Sequence, residues 1–132
     1  METNGFANHL DFHPWEPCFA TASSNSTVKV WDLRMRRLIQ QYNGEVNLIF
    51  TLMLADHSAP VQRVSFHPSG IYLLSASDDS NMKIFDLLEG RPIYTLSGHK
   101  GSITAAAFSS TGDQFASGGA DEQVNSLTCI CC

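Results

Sequence analysis

The sequence predicts an all-β fold built from about three repeated four-stranded units, the last of them truncated. Three observations predict it. The chain repeats itself at an offset of 42 residues, so that Phe66 corresponds to Phe108 and Gly70 to Gly112. The candidate strands are short and rich in β-branched residues, with turn residues spacing them roughly 8–12 positions apart. With 132 residues, 43% of them hydrophobic, the chain has the length and the apolar content of one folded domain.

The first unit covers residues of about 1–43 and corresponds to the second at a longer offset. Phe12-His13-Pro14 matches Phe66-His67-Pro68, which lies 54 positions further along the chain. Its predicted strands are residues 7–12, 18–22, 27–32 and 38–42. Because 54 exceeds 42 by twelve residues, we assign an apolar insertion to about 44–55. Three interpretations of that insertion stay open: it lengthens a fourth strand, it packs across the face of a sheet, or it is translated intron.

The second unit covers about 56–97 and the third about 98–128. The predicted strands of the second are residues 61–67, 72–77, 82–87 and 92–96, separated by turns rich in Gly, Pro, Asp and Asn. Those of the third are 103–109, 114–118 and 123–127, so its fourth strand is missing. Residues 129–132 form a cysteine-rich tail. A period of 42 residues lies within the roughly 40–45 that four-stranded propeller blades show.

Three motifs carry a resemblance to the WD repeat proteins. They are Val30-Trp31-Asp32-Leu33, Ile84-Phe85-Asp86-Leu87 and the Gly98-His99 pair. Three longer segments resemble the last three blades of the proteome-of-centriole family. They are Phe66-His-Pro-Ser-Gly70, Tyr94-Thr-Leu-Ser-Gly-His99 and the segment from Phe115 to Val124. The resemblance implies an incomplete WD repeat β-propeller. It also implies a role in centriole and basal body assembly and in cilium formation, with centriolar or microtubule-associated partners. The implied localisation is the cytoplasm and cytoskeleton, at the centrosome and the cilium basal body.

Two sets of polar residues recur 42 positions apart and resemble the components of a hydrolase triad. They are His57, Ser75 and Asp79 in the second unit and His99, Ser117 and Asp121 in the third. A catalytic site needs one such set beside a substrate pocket with an oxyanion hole. A set that recurs with the repeat belongs to the scaffold instead. The WD repeat resemblance implies that each set is a structural hydrogen-bond network that ends on a Trp.

Each unit departs from the complete network. The first has Thr21, Asn25 and Trp31, but Thr3 stands where the other units have His. Phe85 and Leu127 replace the Trp in the second and third units, which removes the indole N–H donor. We therefore expect the serine hydroxyl of those units to lose its last partner.

Charge and motif content exclude several other classes of protein. The formal net charge is −5 and the isoelectric point is about 5.3. A negative net charge disfavours binding to the phosphate backbone of nucleic acid. No apolar stretch approaches the roughly 20 residues of a membrane span. The glycines match no phosphate-binding or dinucleotide fingerprint, so no cofactor is expected. Cys129 and Cys132 have a CxxC spacing without a second ligand pair, so no metal site is expected.

Two further features carry interpretations that stay open. Arg34, Arg36 and Arg37 form a basic turn, which is either a solvated turn or a docking contact for acidic surfaces such as tubulin tails. The terminal residues Cys129-Ile-Cys-Cys formally satisfy a prenylation box at Cys129, with an unmodified tail as the alternative. Four cysteines, three of them in the last four residues, favour a reducing compartment.

The sequence thus predicts a non-enzymatic scaffold for protein–protein interaction. The alternatives are a substrate-recognition or adaptor propeller of a ubiquitin ligase or chromatin complex, and a truncated or competing isoform of a longer propeller protein. Because a closed ring usually needs about four to eight blades, self-association is one way for three units to complete it.

Overall fold

A computed structural model describes residues 5–33, 49–54 and 57–128. Its strands pair antiparallel throughout, which confirms the predicted all-β class. In the described ranges the strands are β1 (Ala7–Phe12), β2 (Cys18–Ser23), β3 (Val28–Asp32), β4 (Ile49–Leu54), β5 (Val61–Phe66), β6 (Tyr72–Ser77), β7 (Asn81–Asp86), β8 (Arg91–Ser97), β9 (Ile103–Phe108), β10 (Gln114–Gly119) and β11 (Val124–Thr128). None of the described ranges contains a helix that could span a lipid bilayer.

The strands form three sheets, each ordered as in the sequence. Strands β1–β4 form blade 1, β5–β8 form blade 2 and β9–β11 form blade 3. Short turns join successive strands, so each sheet is a meander of the kind that a propeller blade requires. Blade 3 has three strands in the part of the chain that the structure describes, and this agrees with the predicted truncation of the last unit.

The second strand of a blade shows why a repeated sheet suits this sequence. In β6 every residue from Leu73 to Ser77 is buried, and in β2 the same holds from Phe19 to Ser23. Continuous burial along a strand requires cover on both faces of the sheet. Blade 2 has that cover because blade 1 packs on one of its faces and blade 3 on the other.

The structure corrects the position of the fourth strand of blade 1. We expected it at residues 38–42, which lie outside the described residues, with an insertion at about 44–55. Instead, residues 49–54 of that segment form β4 and pair with β3. Leu54 lies opposite Val28 just as Leu96 lies opposite Met82. Each pairing also has a register irregularity at the same place, directly after Val30 in β3 and directly after Ile84 in β7.

The repeat itself explains this correction. Leu54 and Leu96 are 42 positions apart, so β4 belongs to the same period as β8. The twelve extra residues therefore fall within 33–48, between β3 and β4. Few residues are identical between β4 and β8, and identity was the signal that we followed. The two segments share instead a large apolar residue at two alternate positions, Leu52 and Leu54 in β4 and Tyr94 and Leu96 in β8.

Each junction between blades has an apolar core. At the first junction, Ala20, Ala22, Val28 and Val30 of blade 1 pack in one cluster with residues of blade 2, namely Val61, Val64, Phe66, Leu73 and Phe85. At the second, Leu74, Ala76, Met82 and Ile84 of blade 2 pack with Ile103 and Phe115 of blade 3. Since a buried Val, Leu or Phe side chain contributes roughly 1.5–3 kcal/mol, these junctions supply most of the cohesion between blades.

A histidine also links each blade to the next. His13 Nε2 donates to the carbonyl oxygen of Gly70 at 3.0 Å, and His67 Nε2 donates to that of Gly112 at 2.8 Å. In both rings Nδ1 accepts backbone N–H groups, from Glu16 in blade 1 and Ser69 in blade 2, which places the hydrogen on Nε2.

The same two rings pack edge-on against an aromatic residue of the next blade. His13 lies 5.1 Å from the Phe66 ring and His67 lies 5.0 Å from the Phe108 ring, measured between centroids. We call each combination of ring contact and His–Gly hydrogen bond an inter-blade clamp. At the corresponding position blade 3 has Ser109.

Candidate functional site

Blade 2 contains a buried chain of hydrogen bonds along Asp79, His57 and Ser75. The carboxylate of Asp79 lies 2.9 Å from His57 Nδ1, and His57 Nε2 lies 2.6 Å from Ser75 Oγ. Because Nδ1 faces a carboxylate and carries the hydrogen, Nε2 accepts from the Ser75 hydroxyl. The three residues come from the segment before β5, from β6 and from the β6–β7 turn, so the network joins separate parts of one sheet.

Blade 3 repeats this arrangement. His99 Nδ1 lies 3.0 Å from each carboxylate oxygen of Asp121, and Nε2 lies 2.8 Å from Ser117 Oγ. Both imidazoles and both serines are buried. The structure therefore brings together the two sets of residues that the sequence singled out.

The hydrogen bonds favour the ionised form of both aspartates. Burial alone would raise the pKa of Asp79, but donation from His57 and from the backbone N–H groups of Asn81 and Ser58 outweighs it and lowers that pKa. For Asp121, the hydrogen bond from His99 is the largest cause of a lowered pKa, and the backbone N–H of Lys100 adds to it.

Ser75 keeps a further neighbour despite the loss of the indole donor. We expected Phe85 to leave this hydroxyl without its last partner. In the structure Ser75 Oγ also lies 3.5 Å from the carbonyl oxygen of Lys83, its cross-strand partner on β7. A backbone oxygen of the neighbouring strand thus lies near the hydroxyl where no indole is present.

Blade 1 contains the part of the network that the other blades lack. Trp31 Nε1 donates to Thr21 Oγ1 at 3.0 Å, and both side chains are buried. Asn25 occupies the turn position of the aspartates and accepts a hydrogen bond from the Thr27 hydroxyl. Thr3 lies outside the described residues.

The Asp–His–Ser geometry matches a hydrolase triad in its hydrogen bonds but not in its setting. Ser75 is fully buried, which denies a substrate carbonyl access to its hydroxyl, and Ser117 is almost fully buried in the wall of a groove of about 550 Å³. No group of three or more His, Cys, Asp or Glu residues in the described ranges could hold a metal ion. The arrangement can fix the geometry of each blade.

The exposed site of interest lies at one end of the junction between blades 1 and 2. A cleft of about 460 Å³ opens there between the β1–β2 turn and the turns of blade 2. Trp15 is 64% exposed and Leu88 is 81% exposed, with Ile71 beside them. We call these three residues the rim patch.

Our reading of the sequence missed the rim patch, although a signal was present. Trp15 stands in a turn between Pro14 and Pro17, where blade 2 has Ser69 and Gly70. A tryptophan in a proline-bounded turn has no strand neighbours to pack against, so its exposure was predictable. Arg34, Arg36, Arg37 and Cys129, which we did single out, lie outside the described residues. Within the described ranges, Cys18 takes part in no disulfide.

The chain is similar to proteins named for ribosome biogenesis. It is 29% identical over 124 residues to "Ribosome biogenesis protein BOP1 homolog" of Drosophila melanogaster, and 30% identical over 124 residues to the homologue of Drosophila willistoni. Each match covers 93% of this chain and 14% of the relative, so the chain spans about one seventh of their length. The predicted cytoplasmic, centrosomal and ciliary localisation is wrong, because these relatives are named for ribosome biogenesis. The names give no support to a centriolar role or to centriolar partners.

A family model matches most of the chain. The model described as "WD domain, G-beta repeat" matches residues 3–32, 47–86 and 90–126. Its second match begins just before β4 and its third just before β8, which agrees with β4 as a strand of the repeat. The chain therefore belongs to the WD40 repeat family.

Proposed function

We propose that this chain is a non-enzymatic platform for protein–protein interaction and that it acts in ribosome biogenesis. The observation that carries the platform function is the rim patch, a set of exposed apolar side chains at a junction that an inter-blade clamp holds in place. Large exposed apolar groups beside a cleft are typical of protein-binding surfaces.

The chemistry of the rim patch favours a protein partner. Tryptophan is enriched among the residues that dominate binding energy, and a cleft of about 460 Å³ has room for an inserted side chain. His13, which lines the cleft, is also the ring that bonds to Gly70. A partner therefore meets a surface whose backbone is already ordered, and preorganisation lowers the entropic cost of binding.

Burial of the serines supports the non-enzymatic part of the proposal. The hydrolase alternative predicts covalent labelling of Ser75 or Ser117 by a fluorophosphonate probe. We expect the folded chain to remain unlabelled, because both serines are buried and each hydroxyl is hydrogen-bonded to an imidazole. Labelling that is lost in Ser75→Ala or Ser117→Ala would contradict a pure platform.

The ribosome biogenesis part of the proposal rests on the relatives. Their matches cover 93% of this chain. The net charge of −5 favours a protein component of such an assembly over direct contact with RNA, whose backbone has the same sign.

The test is the distribution of the tagged chain in cells and in a sucrose gradient. We expect enrichment in the nucleolus and co-sedimentation with ribosome precursors. The double variant Trp15→Ala/Leu88→Asp should lose co-sedimentation, whereas Val124→Asp, an equally exposed apolar residue away from the rim patch, should retain it. Sedimentation with chromatin or with a ubiquitin ligase would favour the adaptor alternatives. Wild-type behaviour of the double variant would exclude the rim patch as the docking site.

A further inference from the structure

We propose that His13 is a proton-sensitive gate of the rim patch. The turn that carries Trp15 keeps its conformation while the His13 imidazole is neutral, and a proton on that imidazole releases the turn. The inference rests on the proposed function, because it concerns the regulation of the rim patch, but its test requires no partner. The element that responds is the β1–β2 turn, residues 13–17.

The first observation is the role of His13 Nδ1 inside that turn. It accepts the backbone N–H of Glu16 at 2.9 Å and that of Trp15 at 3.2 Å. An imidazole nitrogen accepts a hydrogen bond only while it carries no hydrogen. Since Nε2 carries the one hydrogen of the neutral ring and donates to Gly70, these bonds require the neutral form.

A protonated ring is incompatible with this arrangement. Both nitrogens of an imidazolium are donors, so a hydrogen on Nδ1 would point at the backbone N–H groups of Trp15 and Glu16. The bond from Nε2 to Gly70 can persist, but the turn loses its acceptor. Because N–H groups without an acceptor are unfavourable, the turn has to rearrange until water satisfies them.

The place of Trp15 in the rim patch depends on this turn. A Cβ added at Gly70 would lie 2.5 Å from the His13 ring and 3.2 Å from the Trp15 ring, so both rings lie directly against the Gly70 backbone. The two rings also contact each other edge-on, with centroids 5.6 Å apart. Since 64% of Trp15 is exposed, these contacts and its N–H bond position it, and release of the turn displaces it.

The second clamp repeats the arrangement. His67 Nδ1 accepts the backbone N–H of Ser69 at 3.0 Å, and Nε2 donates to Gly112. The turn that follows His67 carries Ile71, which is also a residue of the rim patch. The acceptor role of the ring therefore belongs to the repeat, and two of the three rim-patch residues lie in turns of this kind.

The surroundings of His13 leave the imidazole as the group that titrates. Blade 2 faces the cleft with uncharged residues, from the end of β5, the β5–β6 turn and the β7–β8 turn. Blade 1 adds two titratable side chains, Glu16 and Cys18. Carboxyl and thiol groups ordinarily titrate near about pH 4 and about pH 8.5, whereas imidazole ordinarily titrates between them.

The other histidines respond differently. At His57 and His99, Nδ1 already donates to an aspartate and Nε2 faces a serine hydroxyl. A hydroxyl accepts as well as donates, so a second hydrogen on either ring keeps a partner. His9 accepts the backbone N–H of Val64, but burial and the nearby Arg63 lower the pKa of His9, so its ring gains a proton at lower pH than an ordinary imidazole.

Blade 3 supplies a matched control. Ser109 stands at the position of His13 in the repeat, and its Oγ accepts the backbone N–H groups of Gly112 and Gln114, each at 3.2 Å. His13→Ser therefore places in blade 1 an acceptor that the fold already uses and that does not titrate. His13→Asn offers a second one, because an Asn side chain accepts backbone N–H groups of its own turn.

The experiment is amide hydrogen exchange of the full chain, followed by NMR at about pH 7.5 and about pH 5.5 and corrected for the intrinsic pH dependence of exchange. We expect the protection of the Glu16 amide to fall at least about tenfold at the lower pH in the wild type. In His13→Ser and His13→Asn it should change by less than about twofold. Amides of β2 and β3 should keep their protection in all three proteins.

A second measurement ties the change to the ring. The ¹⁵N shift of His13 Nδ1 in the wild type reports its protonation, and its midpoint should coincide with that of the loss of Glu16 protection. This comparison needs no variant, so it decides the matter even where a substitution prevents folding.

Three results would overturn the proposal: constant protection of Glu16 in the wild type, an equal loss in wild type and both variants, or a midpoint that differs from that of His13. Loss of protection throughout β2 and β3 would also overturn it, because acid would then unfold the blade instead of releasing the turn. None of these results bears on docking itself, which the co-sedimentation of wild type and Trp15→Ala/Leu88→Asp tests at neutral pH.

Discussion

His67 donates a hydrogen bond from Nε2 to the carbonyl oxygen of Gly112, 2.8 Å away and 45 residues along the chain. The bond crosses from blade 2 to blade 3, and its counterpart between His13 and Gly70 crosses from blade 1 to blade 2 at 3.0 Å. Both acceptors have positive φ, 76° at Gly70 and 83° at Gly112. The repeat thus encodes the link between neighbouring blades as well as the blade itself.

Replacing His67 should weaken the junction between blades 2 and 3. His67→Ala removes the buried donor to Gly112 and the ring contact with Phe108, so we expect the free energy of unfolding to fall by about 2 kcal/mol or more. His67→Phe keeps a ring against Phe108 and should cost less, about 1–2 kcal/mol. Urea denaturation followed by circular dichroism measures both. Equal stability of His67→Ala and wild type would show that the clamp contributes nothing.

Two glycines provide a matched comparison. A Cβ added at Gly112 would lie 2.6 Å from His67 Nε2, and its φ of +83° is unfavourable for alanine. Gly112→Ala should therefore destabilise the chain by about 1–3 kcal/mol. Gly118→Ala meets nothing within 4 Å and should leave stability unchanged or raise it by up to about 1 kcal/mol. Thermal unfolding measures the stability of the two variants. If Gly112→Ala were as stable as Gly118→Ala, the close approach of His67 to Gly112 in the clamp would be contradicted.

Much of the fold was predictable because the repeat places apolar residues at a fixed period. Strands β1 and β6 have the predicted bounds, and β10 ends one residue later than predicted. The position of β4 was not predictable from identity, since few residues of Ile49–Leu54 match those of Arg91–Ser97. The clamp also escaped the sequence analysis, because a histidine before a proline carries no sign of which distant carbonyl it will reach.

The indole of Trp31 should contribute to blade 1 through its bond to Thr21. Trp31→Phe leaves Thr21 Oγ1 without that donor, and we expect a loss of about 1–2 kcal/mol beyond the change in packing. A double-mutant cycle with Thr21→Val isolates the pair. Its coupling energy should be about 1 kcal/mol, and a value near zero would mean that the hydrogen bond does not stabilise the blade.

Stability should fall in acid partly through Asp79. Its folded-state pKa lies below the ordinary carboxyl value of about 3.9, so its stabilisation is complete above that value and is lost as the pH falls through the folded pKa. Asp79→Asn should therefore be less stable than wild type at pH 7, and the difference should shrink below about pH 4. Urea midpoints between pH 7 and pH 3 measure it. A difference that stays constant across this range would contradict ionic stabilisation.

The hydrogen-bond networks of blades 2 and 3 were predictable because they repeat. His57, Ser75 and Asp79 were singled out because His99, Ser117 and Asp121 recur at the same spacing, and the structure joins each set by hydrogen bonds. The rim patch has no counterpart in the repeat. Trp15, Ile71 and Leu88 come from three turns that meet only after blade 1 packs on blade 2, so a periodic signal could not identify them.

Hydrogen–deuterium exchange of the wild-type chain and His67→Ala tests most directly the claim that the blades form one rigid platform. In the wild type we expect the amides of β5–β7 and of β9–β10 to open together, with the same free energy of opening. In His67→Ala the amides of β9 and β10 should exchange faster while those of β2 and β3 keep their protection. Independent exchange of the three sheets in the wild type, or no change in β9 and β10 of the variant, would contradict a platform held together by clamps.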